Sequence, residues 1–350
     1  MLSRYNVLLI LTAVSLVHAS SGDRAWEYQR CVSQCSSAVC ADPNWATSLP
    51  LSMRITRWTC TDDCKYGCMH SITDHAIAHS LPVQQYHGKW PFWRFAGMQE
   101  PASVAFSLLN LLVHARGALH VQRSIAEGHP MKGYYLKFAL VSMNAWVWSS
   151  VFHTRAQPIH CMSLDLPITE KFDYFFAALA ILYAVYYTVI RLFHLYSSET
   201  HRPSKTKASC TNSRPHALWA LTCIVMYLGH VSYLSLLPRF DYTYNMAFNL
   251  GVGMAHNLLW LAYSLPSAVP LLRRFPFRPH MYRPTYASRA AFFVLTTIFA
   301  TSLELFDFPP WHRVIDAHSL WHLSTVPIAA FWYDFLVLDS QDDGWKPSRS

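Results

Sequence analysis

The sequence predicts an all-α polytopic membrane protein, a seven-transmembrane-helix bundle behind a small disulfide-rich luminal N-terminal domain. Three observations carry this prediction. Apolar runs approaching the length of a bilayer follow one another from Pro101 to Leu338. Six cysteines crowd between positions 31 and 68, behind a short apolar N-terminal segment. Basic residues collect in alternate connections between the apolar runs. Composition agrees, with 52% of the 350 residues hydrophobic and only 14% charged, against roughly 25% charged in ordinary soluble domains. Lipid therefore replaces water as the solvent for much of the chain.

The N-terminus reads as a cleaved secretion signal. Arg4 supplies the positive start, Val7 to Val17 the apolar run, and Val17-His18-Ala19 a small-residue cleavage site before Ser20. The run covers 11 residues, too few for a hydrocarbon core that needs about 20. Cleavage near Ala19 leaves residues 20–97 as the luminal domain, 98–338 as the membrane domain and 339–350 as a cytosolic tail. In the luminal segment Cys31, Cys35 and Cys40 form one cluster, and Cys60, Cys64 and Cys68 another. Six cysteines in so short an exported segment imply three disulfides, with the connectivity open. A zinc ribbon is the rival, but its C-x₂-C spacing is absent. Cys161, Cys210 and Cys223 lie outside the block and are expected to be unpaired.

The apolar runs are 101–120, 134–154, 172–195, 216–237, 243–266, 287–305 and 314–338. His114 and Arg116 interrupt the first, while Asn245, Asn249, Gly251, Gly253 and His256 soften the fifth, so six spans is the alternative count. A signal peptide puts residues 20–97 in the lumen. The connections expected in the cytosol then carry Arg116, Arg123 and Lys132, then Arg191, Arg202, Lys205, Lys207 and Arg214, then Arg273, Arg274, Arg278, Arg283 and Arg289. The luminal ones carry only Arg155 and Lys171, then Arg239, then Arg313. This asymmetry is the positive-inside bias, and it accounts for the net charge of +8. Nucleic-acid binding is excluded, because no basic stripe or recognition module accompanies that charge.

Ionisable residues inside a membrane are costly and mark functional sites. His318 and His322 stand one helical turn apart in Asp316-Ala317-His318-Ser319-Leu320-Trp321-His322 and can chelate one ion. No glutamate follows the first of them, which excludes the zincin motif. Ser149 and His153 share a helix face in the same way. Asp173 opens the third run, where an acid can also serve merely to complement the helix dipole. The topology places all five at the luminal level of the membrane, on three separate segments. Three imidazoles suit a tetrahedral zinc whose fourth position is left to water, the catalytic arrangement. Asp173 would accept that water's proton, and Ser149 would orient the water or donate to a developing oxyanion.

Several stretches resemble the post-GPI-attachment-to-proteins phospholipases. They are Phe95-Ala96-Gly97-Met98-Gln99-Glu100-Pro101, Trp148-Ser149-Ser150-Val151-Phe152-His153-Thr154-Arg155, Thr169-Glu170-Lys171-Phe172-Asp173-Tyr174, His230-Val231-Ser232-Tyr233-Leu234, Leu305-Phe306-Asp307-Phe308-Pro309-Pro310 and the histidine segment from Asp316 to His322. The resemblance spans nearly the whole mature chain and extends to the luminal cysteines. It belongs with a wider superfamily of alkaline ceramidases and progestin/adiponectin-type receptors. It implies a seven-helix bundle, a zinc set on His153, His318 and His322, and Ser149 and Asp173 beside the metal. It further implies removal of an unsaturated sn-2 acyl chain from the lipid of GPI-anchored proteins, in Golgi or endoplasmic-reticulum membranes. One departure stands out. Asp173 follows His153 by 20 residues, a wider gap than the family pattern, so residues 156–164 read as an insertion in the luminal loop. His160 within it becomes a further ligand candidate.

The same histidines would also serve a ceramidase-like amidase, a seven-helix receptor or a lipid-binding chaperone with structural zinc. The exported cysteine-rich domain favours a protein-linked lipid substrate by analogy.

Overall fold

A computed structural model describes residues 21–155, 168–196 and 214–347. The secretion signal, the 156–164 insertion with His160 and Cys161, and the basic residues 202–207 with Cys210 lie outside the described residues. The chain divides into two compact units, one reaching Gly97 and including Pro309–Val314, the other formed by Met98–Phe308 and Ile315 onward.

The first unit is a stapled helical hairpin. Helix α1 spans Trp26–Val39, two short turns follow as α2 (Trp45–Ser48) and α3 (Leu51–Ile55), and α4 spans Cys60–Ala78. Helix α4 starts at a capping box, in which Thr59 Oγ1 accepts from the Asp62 amide and the Asp62 carboxylate accepts from the Thr59 amide. Cys31 and Cys35 lie one turn apart on α1, and Cys64 and Cys68 one turn apart on α4. They pair in nested order, Cys31–Cys68 and Cys35–Cys64, with Cys40–Cys60 closing the far end. Nested pairing fixes the helices antiparallel. It also leaves none of the six as thiolate for a metal. The apolar core here is small, centred on Tyr28, Cys68 and Tyr86, so cross-links carry stability that burial cannot supply.

The second unit holds seven long helices among the described residues: α5 (Pro101–Ser124), α6 (Lys132–Thr154), α7 (Ile168–Leu192), α8 (Arg214–Leu236), α9 (Tyr242–Ser264), α10 (Ser288–Leu305) and α11 (Ala317–Gln341). By length and composition four helices, over 101–124, 169–192, 214–236 and 285–305, are long and apolar enough to cross a membrane. The other three are as long but carry polar groups that point inward. Ser142, Ser149 and His153 of α6, Asn245 and His256 of α9, and His322 and Asp339 of α11 are all buried.

Helix α5 packs between α6 and α11. Close approach to α11 depends on Gly117, where an added Cβ would fall 2.2 Å from the Tyr333 ring. The main apolar cluster joins Val121, Tyr135, Tyr187, Trp260, Trp332 and Phe335.

Four basic residues counted above as loop charges are buried: Lys132, Arg191, Arg274 and Arg313. Arg191 lies within α7, fully buried, and its Nε and Nη2 donate to the two Asp339 oxygens at 2.6 and 2.8 Å. Arg274 is also buried and donates to the carbonyls of Tyr263 and Leu265 at the end of α9. Both belong to packing as well as to topology. Because Asp339 has this partner, α11 continues past the apolar run's end at 338 to Gln341.

Candidate metal centre

Local sequence fixes each histidine before packing brings them together. Asp316 caps α11, its carboxylate accepting from the Ser319 amide at 2.8 Å while Ser319 Oγ accepts from the Asp316 amide. That cap starts the helix one residue before His318, so His318 and His322 share one face in the first two turns. His153 stands in the last turn of α6. Its carbonyl is capped by the amide of Glu100, at 3.1 Å, and Pro101 then opens α5. Asn110 Nδ2 donates to the His322 carbonyl at 2.7 Å, tying α5 to α11.

The three imidazoles converge through Nε2. His318 Nε2 lies 3.2 Å from His153 Nε2 and 3.0 Å from His322 Nε2. Each Nδ1 faces outward to a partner. His153 Nδ1 is 2.9 Å from Glu100 Oε2, His318 Nδ1 is 2.7 Å from Glu304 Oε2, and His322 Nδ1 is 2.9 Å from Ser107 Oγ. An ionised carboxylate only accepts hydrogen bonds, so the proton of His153 and of His318 sits on Nδ1. Their Nε2 lone pairs therefore point at each other across about a hydrogen-bond distance, which is repulsive unless a cation lies between them. Three neutral imidazole nitrogens so arranged, each with its far nitrogen held by an oxygen, suit zinc.

Burial is uneven around the cluster. His153, His322, Ser149, Ser107 and Glu100 are buried, while His318 and Glu304 keep about a third of their side chains exposed (34% and 31%). The cluster thus opens on the His318 side. Trp146 sets its ring edgewise against His322, and Trp321 flanks both His318 and His322. These rings give the cluster apolar walls beside His318 and His322.

Ser149 is near the histidines but one hydrogen bond removed. Its Oγ is 3.1 Å from Ser107 Oγ, which holds His322 Nδ1. Asp173 is half-buried in α7 and is not a member of the three-histidine cluster. Its neighbours set its level, since Phe172 packs on Trp148 and Tyr174 on Phe152, both on the last turns of α6. His230, on α8, stacks on Phe248 with Tyr244 beside it, and is not a member of the histidine cluster.

Three members of the arrangement were not assigned a role from sequence: Glu100, Glu304 and Ser107. A signal existed for Glu304, the only carboxylate within the apolar run 287–305, and a lone acid there marks an interior partner. Glu100 sits inside a quoted motif but outside any span. Ser107 had no signal, because serine is common on buried helix faces.

The sequence profile of the Per1-like family matches residues 50–340. The chain is 40% identical to the protein PER1 homolog of Schizosaccharomyces pombe over 344 residues, 96% of this chain and 93% of that protein. It is 37% identical to the GPI-specific phospholipase A2-like PGAP3 of Cricetulus griseus, with 95% and 93% covered. The Homo sapiens protein of the same name is 36% identical over the same shares. No solved structure matches the chain.

Proposed function

Because the chain belongs to the Per1-like family, we propose that it is a membrane-embedded, zinc-dependent ester hydrolase that removes the sn-2 acyl chain from the lipid of GPI-anchored proteins. The observation carrying this reading is the convergence of His153, His318 and His322 through Nε2, each backed at Nδ1 by Glu100, Glu304 or Ser107. The relatives named GPI-specific phospholipase A2-like supply the substrate class.

His153, His318 and His322 would hold the zinc. When bound, it supplies Lewis acidity toward an ester carbonyl and makes a water acidic near neutral pH. Glu100 and Glu304 keep the protons of their histidines on Nδ1 and fix the ring planes. Ser107 does the same for His322 and is itself positioned by Ser149. Asp173 accepts a proton from the attacking water and returns it to the departing glycerol oxygen. Water oxygen bonds to the acyl carbon, the carbon–oxygen ester bond breaks, and a fatty acid and a lyso-lipid result. The exposed edge at His318 admits the acyl ester, while Trp146 and Trp321 shield the buried side.

The three inward-facing polar helices support the seven-span arrangement, with α6, α9 and α11 spanning alongside the four more apolar ones. Three disulfides support an oxidising secretory compartment for the first unit. The test is release of free fatty acid from a GPI-anchored protein by the purified chain. Release of a fatty acid from ceramide instead would establish the amidase alternative.

A further inference from the structure

The first unit contains an open cleft of about 560 Å³ lined by Asp74, Ile77, Trp93, Pro310, His312 and Arg313. Its floor is a clamped aromatic ring. Trp93 stacks on His70 with centroids 4.1 Å apart and planes 9° from parallel. The Trp93 amide donates to the Arg313 carbonyl at 2.8 Å. Arg313 Nη1 donates to His70 Nδ1 at 2.8 Å, and Arg313 Nη2 to Asp74 Oδ1. The lone pair of Nδ1 lies in the imidazole plane, so the guanidinium sits beside His70, and both underlie the same face of Trp93. Trp93 nevertheless keeps 44% of its surface exposed, and it lines the cleft.

Around this platform stand exposed Asp74 and His312, the buried Arg313 and the apolar Ile77. His312 and Arg313 both adopt left-handed backbone, φ 50° and 57°. Consecutive non-glycine residues in that conformation are strained and persist where surrounding contacts impose them, often at ligand sites. Here two turn hydrogen bonds accompany it, from the Arg313 amide to the Pro310 carbonyl and from the Val314 amide to the Trp311 carbonyl, both 3.0 Å.

We propose that this cleft binds a pyranose unit of the substrate's glycan, which rests on the hydrolase reading above. A sugar ring presents an apolar C–H face that packs on an indole, and hydroxyls around its rim. Asp74 accepts from those hydroxyls with the lone pairs Arg313 does not use, and His312 offers a ring nitrogen. The charge balance selects against a bare phosphate: Arg313 is already neutralised by Asp74, whose exposed carboxylate repels anions. The sequence then joins recognition to chemistry, for Arg313 stands five residues before His318.

The experiment measures saturation-transfer NMR and tryptophan-fluorescence titration of the full chain in detergent, with the lipid-free glycan of a GPI anchor as probe and inositol phosphate as control. Wild type should bind the glycan, with transfer to ring C–H protons. Trp93→Ala should weaken binding by about tenfold or more, Trp93→Phe should recover part of it, and Asp74→Asn should also weaken it. Metal content should stay unchanged in all three. His312→Ala, at an exposed side chain, provides a variant that keeps the floor intact and should weaken binding too. The proposal is overturned if wild type shows no transfer, if folded Trp93→Ala and His312→Ala bind as wild type does, or if inositol phosphate alone reproduces the effect. A chain that binds the glycan but releases no fatty acid keeps the cleft and loses the hydrolase. One that hydrolyses GPI and bare phosphatidylinositol alike without binding glycan does the reverse.

Discussion

Glu100 holds His153 twice: its backbone amide donates to the His153 carbonyl at 3.1 Å, and its Oε2 lies 2.9 Å from His153 Nδ1. One residue thus ends α6, precedes Pro101 at the start of α5, and orients a ring aimed at the two histidines of α11. Glu304 makes the corresponding side-chain contact to His318 from the end of α10.

Replacing either carboxylate by its amide keeps the shape and removes the acceptor-only partner. Glu100→Gln should weaken zinc binding by about 10–100-fold, measured by chelator competition on the purified chain. Glu304→Gln should cost less, because a third of that side chain meets solvent and water can substitute. Equal affinity in wild type and Glu100→Gln would show that the contact does not tune the metal.

In the proposed reaction Ser149 and Asp173 serve protons and orientation rather than ligation. Ser149→Ala and Asp173→Asn should therefore retain zinc while fatty-acid release slows, by about 10²–10⁴-fold for a residue that transfers the proton. Ser149 contacts Ser107 rather than a histidine, so its replacement should be the milder of the two. Loss of metal from Asp173→Asn would move that residue into the coordination sphere.

The helices were legible because their signal is redundant. Seven apolar runs gave seven helices, with ends shifted by a few residues where caps or ion pairs decide. The three-histidine cluster was legible because paired histidines one turn apart share a face whatever the fold around them. Glu100 and Ser107 were not, since what makes them partners is the packing of α5 between α6 and α11, which no periodicity reports. Arg191 misled for a related reason. A basic residue near the end of an apolar run looks like a loop charge until a distant carboxylate claims it. The nested disulfides, by contrast, were within reach: the four-residue spacing of Cys31 with Cys35 and of Cys64 with Cys68 places each pair on one helix face.

The fully buried Arg191–Asp339 pair makes a sharp stability prediction. Asp339→Asn or Arg191→Met alone strands an uncompensated group and should destabilise the bundle by about 3–5 kcal/mol, read as thermal unfolding in detergent. Replacing both with apolar residues of similar volume should recover most of the loss. If the double variant melts no higher than the singles, the pair is held by more than its own charge balance.

Acid should loosen the first unit through His70. Burial, with Arg313 and Arg94 close by, holds its imidazole down to about 4 in the folded chain, against an ordinary value of 6.5. The unfolded chain therefore binds a proton between pH 6.5 and 4 that the folded one refuses. Stability from this residue is complete above the unfolded value and declines as pH falls through that window. Denaturant unfolding followed by the fluorescence of the first unit's tryptophans across this range should show the decline in wild type. His70→Gln, which cannot titrate, should flatten it; an unchanged slope in that variant would assign the acid sensitivity elsewhere.

The most direct test of the whole account is zinc content and fatty-acid release measured together, on a GPI-anchored substrate, for wild type and for His153→Ala, His318→Ala and His322→Ala. Folding is verified first by the unfolding transition. Wild type should carry about one zinc per chain and release fatty acid, and each folded variant should lose metal and fall by more than about 100-fold in release. Folded histidine variants that release fatty acid as fast as wild type would contradict zinc-dependent hydrolysis by this chain.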